Sequence, residues 1–359
     1  MEIDAQLNRV RLLEPQPGMP ANAMPGLGQL IPRPNIMLRG MISAALLILL
    51  GAYLLFRGFA YGYGAMLLAV GAVIAYNSYR IGTRLEGLRE LAETPFFHIA
   101  PAADELLIAG SKVSVRTPDG QWLVARMTRQ HQMLLAGIRR AWVLGPDGKG
   151  RGFLQLPGSY RVIAVRLRSE PPSGSVPLVP VVREPLPPGR DPVLAAHRKW
   201  TSGFAAKSAV VNLIISGIAF WAVTESDHPH RRGEFSESFL SVGAAFVFAL
   251  TAMSGLLLLV GAVKAMRPIP AEATWLELTV RQIQPYRLTR SGLTTMRGQA
   301  VLPDGSVLEF KTARIDGSLA VTAAATGQIW AITPIRPGKY AKIGLPGYPV
   351  IGLAKFTRP

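Results

Sequence analysis

The sequence predicts a membrane protein that combines four transmembrane helices, arranged as two hairpins, with two small all-β modules on the cytoplasmic side. Three observations support this fold class. Four long apolar stretches occur in two adjacent pairs. A region of short alternating strands with Gly and Pro turns follows each pair. The two halves also repeat the same landmarks in the same order, which indicates an internal duplication.

The duplication is visible in four landmarks of each half. In the first half they are Pro118-Asp119-Gly120, Trp142, Gly148-Lys149 and Leu156-Pro157-Gly158. In the second half they are Pro303-Asp304-Gly305, Trp330, Gly338-Lys339 and Leu345-Pro346-Gly347, about 185 to 190 residues further along. Self-similarity at one period predicts a repeated structural unit. We therefore expect both halves to share a core and to lie on the same side of the membrane.

Composition and repeat divide the chain into six segments. They are a Pro-rich, disordered N-terminal tail (1–38), a first transmembrane hairpin (39–79), a first β module (80–168), a Pro-rich linker (169–200), a second transmembrane hairpin (201–265) and a second β module (266–359). The predicted spans cover about 40–56, 58–79, 204–224 and 238–263. Each is close to the roughly 20 apolar residues that cross a bilayer.

The basic residues beside the spans predict the orientation. One set of span ends carries Arg33, Arg39, Arg80, Arg84, Arg89, Arg190, Arg198, Lys199, Lys207, Lys264, Arg267 and Arg281. The opposite ends carry Arg57, Arg231 and Arg232. Cytoplasmic loops are the ones enriched in Lys and Arg, so both termini and both modules are expected in the cytoplasm, with the spans in an inner or plasma membrane. The formal charge of +17 agrees with this arrangement.

Short strands at 8- to 12-residue spacing are typical of a small barrel or sandwich. We expect about five strands in each module, which is the size of an SH3-like or OB-like barrel. Trp142 and Trp330 hold equivalent places in the two modules. They are predicted to be core anchors, with ligand stacking as the alternative.

The residues give little sign of catalysis or of a cofactor. Cysteine is absent, which excludes a thiol nucleophile and a thiolate metal site. Histidines outside 227–230 are isolated, and zinc-protease and nucleophile-elbow motifs are missing. Gly148-Lys149 lacks the spacing of a phosphate-binding loop and is interpreted as a hairpin turn. We therefore expect a protein that is not an enzyme.

One weak candidate for a metal site lies between the third and fourth spans. Asp227, His228 and His230 combine carboxylate and imidazole groups, which suit a divalent metal. The favoured interpretation is a polar outer loop without bound metal.

The densest basic region predicts a surface that attracts anions. Its members are Arg139, Arg140, Lys149, Arg151, Arg166 and Arg168. The cytoplasmic leaflet is negatively charged, so anionic lipid headgroups of the bilayer are the expected partner. An acidic protein is the alternative, and a nucleic acid is not expected because RNP-type aromatic motifs and zinc fingers are missing.

Together these features predict a multi-pass membrane protein that acts as a scaffold or a regulatory or assembly subunit. Its tandem β modules would hold an unidentified protein partner, and a homo-oligomer is compatible with the sequence. A transport or channel component, with its function in the four-helix bundle, is one alternative. An immunity protein that protects against a membrane-active toxin is another.

Overall fold

The computed structural model describes residues 10–30, 36–56, 61–179, 186–226, 248–263, 268–289 and 292–359. They divide into two compact units. The β unit takes its residues from Met1–Arg33, Leu85–His197 and Pro268–Pro359, and the helical unit takes its residues from Pro34–Arg84 and Arg198–Arg267.

Within the described residues, the helical unit contains four helices. They are α1 (Ile36–Phe56), α2 (Tyr61–Glu90), α4 (Pro192–Ser226) and α5 (Phe248–Val263). α1 and α2 pack closely through glycines: a Cβ atom on Gly51 would lie 2.7 Å from the carbonyl oxygen of Gly64. Small residues allow this approach of two backbones.

α4 and α5 also contact each other. The Ser216 and Thr251 hydroxyls lie 2.7 Å apart, and the Phe220 and Phe248 rings are 5.6 Å apart between centroids. Hydroxyl pairs of this kind hold apolar helices together. Asn212 instead donates to the carbonyl oxygen of Ser208 within α4, at 3.0 Å.

The outward side chains of these helices are mostly large and apolar. Leu49 is 67% exposed, Phe204 62% and Leu257 65%. Within the described residues, Met37–Phe56 is long and apolar enough to cross a membrane, whereas the apolar helix Phe248–Val263 is shorter than that limit. The four predicted spans therefore stay a prediction, since among the described helices Met37–Phe56 alone has the length and apolar composition of a span.

The first β module is an eight-stranded antiparallel sheet with one helix. Its strands are β1 (Phe97–Ile99), β2 (Leu106–Ala109), β3 (Lys112–Arg116), β4 (Trp122–Arg126), β5 (Ala141–Leu144), β6 (Arg151–Gln155), β7 (Val162–Arg168) and β8 (Val176–Pro177). Their spatial order is β1-β5-β6-β7-β4-β3-β2-β8. Helix α3 (Arg129–Ile138) connects β4 to β5.

The second β module is a closed barrel. Its strands are β9 (Trp275–Ile283), β10 (Leu293–Thr294), β11 (Arg297–Val301), β12 (Val307–Thr312), β13 (Ile315–Asp316), β14 (Gln328–Ile332), β15 (Tyr340–Gly344) and β16 (Ile351–Thr357). Six of them close the barrel in the order β11-β12-β16-β15-β14-β9. Helix α6 (Gly317–Thr326) connects β13 to β14.

The two modules have the same strand order. The series β3-β4-β7-β6-β5 corresponds to β11-β12-β16-β15-β14. β9 pairs with both β14 and β11, whereas in the first module β1 pairs with β5 and β2 pairs with β3. In the second module, the long strand β9 therefore occupies both of the positions that the short strands β1 and β2 occupy in the first.

The prediction of two small barrels of about five strands each differs from the structure. The first module is an eight-stranded sheet that is not closed within the described residues, and the second is a closed barrel of six strands. Each module also contains a helix of ten residues that was not predicted. Thr128 and Asp316 are the N-cap residues of these helices, and Arg139 and Gly327 end them in the left-handed region. Each helix is short and lies among alternating strands, whose pattern dominates the local sequence.

The two modules share one hydrophobic core. Val113, Leu123 and Leu154 of the first module belong to the same buried cluster as Leu278 and Phe356 of the second. The Tyr160 hydroxyl donates across the junction to the carbonyl oxygen of Gly292, at 3.0 Å. The two modules therefore form one unit.

The predicted tail and linker also differ from the structure. Leu13, Met24 and Leu27 are buried in the β unit, although the prolines predicted an extended, disordered tail over 1–38. In the linker, β8 pairs with β2, and α4 begins at Pro192, before the predicted end of the linker at 200. Asp191 caps α4 by accepting from the N–H of Val193 at 2.8 Å, and proline suits the first helical position.

Candidate functional site

The outer surface of the first module carries a row of cations that we call the basic face. Strand pairing aligns the outward residues of β3, β4 and β7, because Lys112 lies opposite Arg126, and Trp122 lies between Arg116 and Arg168. The exposed members of the basic face are Lys112, Arg116, Arg126, Arg166 and Arg168. None of the outward residues of these three strands is acidic.

The basic face is held on a rigid support. The opposite side chains of the same strands, such as Val113, Leu123 and Val165, lie in the shared core. The Arg116 guanidinium lies 5.9 Å from the centre of the Trp122 ring, which is a cation–π distance. Because the strands are fixed, the cations lose little conformational freedom when an anion binds.

The structure separates the six basic residues that the sequence grouped. Arg166 and Arg168 belong to the basic face. Arg151 lies opposite Arg166, but its guanidinium is paired with Asp147 at 2.7 Å and with Glu90 at 2.6 Å.

The other three lie elsewhere. Arg139 is the C-cap of α3, and Arg140 pairs with Glu14 at 2.7 Å. Lys149 is exposed in the turn between β5 and β6, where the Asp147 carboxylate accepts from its backbone N–H at 2.9 Å. Gly148-Lys149 is accordingly part of a hairpin turn.

Sequence reasoning missed Lys112, Arg116 and Arg126, which lie 40 to 54 residues before Arg166 along the chain. A signal was present, since Lys112, Ser114 and Arg116 alternate with Val113 and Val115. That alternation predicts an outward basic edge on β3. The basic residues that lie beside this edge were not predictable from the sequence. They reach it only because β3 pairs with β4, and β4 pairs with β7.

The second module carries a shorter basic row. Arg297, Lys311 and Lys355 follow one another across β11, β12 and β16, and Tyr340 of β15 continues the row. All four side chains are exposed, and Tyr340 is 63% exposed. The outward row of cations therefore recurs in both halves.

A polar cluster lies at the junction of the two modules. Arg161 pairs with Asp316 at 2.9 Å, and His131 Nδ1 lies 2.8 Å from the Thr128 hydroxyl oxygen. Burial lowers the pKa of His131 to about 4, and the nearby charges of His197 and Arg161 act in the same direction. Burial lowers the pKa of His197 as well. Both histidines are therefore neutral near pH 7.

The tryptophans predicted as core anchors are both buried, because Trp330 belongs to the shared core and Trp142 belongs to a second buried cluster with Phe96. Trp142 pairs with His98, and Trp330 pairs with Glu277, at equivalent positions of the two modules. Trp142 is 6% exposed and Trp330 is 3% exposed. The indole N–H groups of both are buried without an acceptor among the described residues.

The candidate metal ligands Asp227, His228 and His230 lie outside the described residues. Within the described part of the chain, no group of three or more His, Asp or Glu side chains is placed to hold a metal ion.

Comparisons with protein-family models, with curated proteins and with solved structures gave no match for this chain.

Proposed function

We propose that this chain is a multi-pass membrane protein without enzymatic activity, which acts as a scaffold or a regulatory or assembly subunit. Its two β modules form one platform in the cytoplasm, and its four apolar helices anchor that platform in the inner or plasma membrane. The exposed apolar side chains of α1, α2, α4 and α5 support the anchoring role, since a soluble protein rarely exposes such large apolar surfaces.

The basic face is the observation that carries the proposed function. Five exposed cations lie side by side, and none of them forms an ion pair within the described residues. Each basic residue near an anionic membrane surface contributes about 1 kcal/mol of attraction. The basic face therefore binds anionic lipid headgroups.

A vesicle-binding experiment tests this function. The full chain in nanodiscs of neutral lipid is mixed with vesicles that contain phosphatidylglycerol, and bound vesicles are measured by co-flotation. The triple variant Arg116→Gln, Arg126→Gln and Arg166→Gln should bind about a hundredfold more weakly, since three charges are lost. A matched control removes three exposed charges elsewhere, with Arg336→Gln, Lys339→Gln and Arg358→Gln.

The control variant should retain most of the binding. If both triple variants lose the same affinity, the attraction depends on net charge alone and the basic face is not the binding surface. Binding that does not weaken when the salt concentration rises would also contradict an electrostatic contact.

The orientation is tested with reporter fusions. A reporter that is active only outside the cytoplasm should give a signal when fused at Asp227 and none when fused at Gly174. The reverse pattern would place the β modules on the outer side and would contradict the proposed platform.

A further inference from the structure

The two tryptophan surfaces of the β unit have equivalent residues but different surroundings. We define each surface by its paired residues: His98 and Trp142 in the first module, and Glu277 and Trp330 in the second. The strand register shows that the two surfaces are equivalent, because the next residue pairs also correspond: Ile99 lies opposite Ala141, and Leu278 lies opposite Ile329. What lies over each surface can therefore be compared directly.

In the first module, a proline-rich segment of the chain itself lies over the tryptophan surface. The Phe96 N–H donates to the carbonyl oxygen of Met19 at 3.0 Å, and the Asn22 N–H donates to that of Ala92 at 2.9 Å. Pro20 and Pro95 form a backbone bridge between the same two stretches. Leu13, Ala21, Met24 and Leu27 belong to the buried cluster that includes Trp142 and Phe96.

In the second module, the equivalent surface contains a cavity. Its volume is about 370 Å³, which is within the range of small binding sites. Its lining residues are Trp275, Glu277, Thr279, Val301, Leu302, Pro303 and Trp330. Ile269 and Ala273 form a buried cluster with the neighbouring Ile332, and Trp275 packs against this cluster at one side of the cavity.

We propose that the cavity beside Trp275 and Trp330 binds an extended, proline-rich segment of a partner protein. The proposal names a partner class for the scaffold, and it concerns a different surface from the basic face. In the first module, residues 13–27 lie on the equivalent surface; they include four prolines and contact the Trp142 cluster through Leu13, Ala21, Met24 and Leu27.

The chemistry of the cavity fits such a segment. Proline-rich peptides dock into grooves lined by aromatic rings, and their preformed extended shape lowers the entropy lost on binding. The indole N–H groups of Trp275 and Trp330 are buried without an acceptor among the described residues. A peptide carbonyl group that reaches one of them after a small ring rotation would supply the missing acceptor.

Glu277 adds a preference for charge. Its Oε1 accepts from Gln328 at 2.8 Å, and the side chain also lines the cavity. A carboxylate at this position favours a peptide that carries an arginine next to its prolines.

A calorimetric titration of the full chain in detergent micelles tests the proposal. The probe is a synthetic ten-residue polyproline peptide with one arginine, and the reference peptide has alanine in place of every proline. We expect saturable binding of the probe and at least tenfold weaker binding of the reference. The Trp275→Ala variant should weaken the binding about thirtyfold or more, as truncation of an aromatic anchor does. Glu277→Gln should weaken it about twofold to fivefold.

A control variant and a measurement of thermal stability distinguish a loss of peptide binding from a loss of the fold. Trp122→Ala removes a half-exposed tryptophan from the basic face and should leave peptide affinity unchanged. The thermal midpoint of each variant shows whether the fold is kept. If Trp275→Ala unfolds the protein, the milder variant Trp275→Phe is titrated in its place.

The proposal would be overturned by a lack of saturable binding, by equal affinity for both peptides, or by equal losses in the Trp275 and Trp122 variants. A dimer of the chain that the peptide dissociates would show that a second copy is the occupant, and this would overturn the assignment to a partner protein. Vesicle binding by the basic face is measured separately, so its failure and the failure of peptide binding are distinguishable.

Discussion

The Arg161 guanidinium of the first module lies 2.9 Å from the Asp316 carboxylate of the second. The same carboxylate caps helix α6, because its Oδ1 accepts from the Ser318 N–H at 2.8 Å. One aspartate therefore serves both the junction of the modules and the start of a helix. The two roles can be separated by substitution.

Asp316→Ala should destabilise the protein more than Asp316→Asn. Alanine removes the N-cap and the ion pair, and an N-cap contributes about 0.5–2 kcal/mol. Asparagine keeps the cap and loses a partly exposed ion pair that contributes about 0–1 kcal/mol. Thermal unfolding in detergent, followed by circular dichroism, measures the difference. Equal losses would mean that the cap contributes nothing.

The stability of the β unit should fall in acid because of His131. Its folded pKa is about 4, below the ordinary value of 6.5, so the unfolded chain takes up the proton first. Stability is then fully present above about pH 6.5 and is lost as the pH falls towards 4, by on the order of 3 kcal/mol.

The His131→Leu variant tests this source of the pH dependence. Leu319 occupies the equivalent position of α6, so leucine fits the local pattern. Thermal midpoints between pH 4 and 7 should depend less on pH in this variant, and less again when His197→Leu is added, because burial also lowers the pKa of His197. If the thermal midpoint depends on pH as steeply in both variants as in the unchanged protein, neither histidine is the origin of the pH dependence.

Tyr160→Phe should cost about 1 kcal/mol of unfolding free energy. The Tyr160 ring is fully buried, and its hydroxyl donates to the Gly292 carbonyl oxygen across the junction. Tyr340→Phe is the control, because Tyr340 is 63% exposed and its change should stay within about 0.5 kcal/mol. Similar effects of the two substitutions would argue against a role for the Tyr160 bond.

Gly51→Ala should weaken the packing of α1 against α2. The added Cβ atom would meet the Gly64 carbonyl oxygen at 2.7 Å, and such overpacking costs about 1–3 kcal/mol. Gly203→Ala in α4 is the matched control, since its Cβ atom meets nothing within 4 Å. Alanine should stabilise that helix slightly through its higher helix propensity. Unfolding titrations in mixed micelles compare the two variants.

Several features were predictable because they depend on neighbours along the chain. The alternation of Arg166 and Arg168 with Val165 and Leu167 predicts a strand with an outward basic edge, and β7 has it. The Pro-Asp-Gly sequence at 118–120 predicts a turn, and β3 and β4 pair on either side of it. The two helices α3 and α6 were not predicted, because ten residues between strands give a weak periodic signal.

The sequence alone determined the order of apolar hairpins and β modules, the equivalence of Trp142 and Trp330, and the concentration of positive charge in the chain. These follow from periodicity and composition, which act over a few residues. The tertiary structure decided that both modules share one core, that β3 and β4 bring Lys112 and Arg126 beside Arg166, and that a proline-rich segment covers one tryptophan surface. Those contacts join residues far apart in the chain, and only strand pairing and burial fix which of them meet.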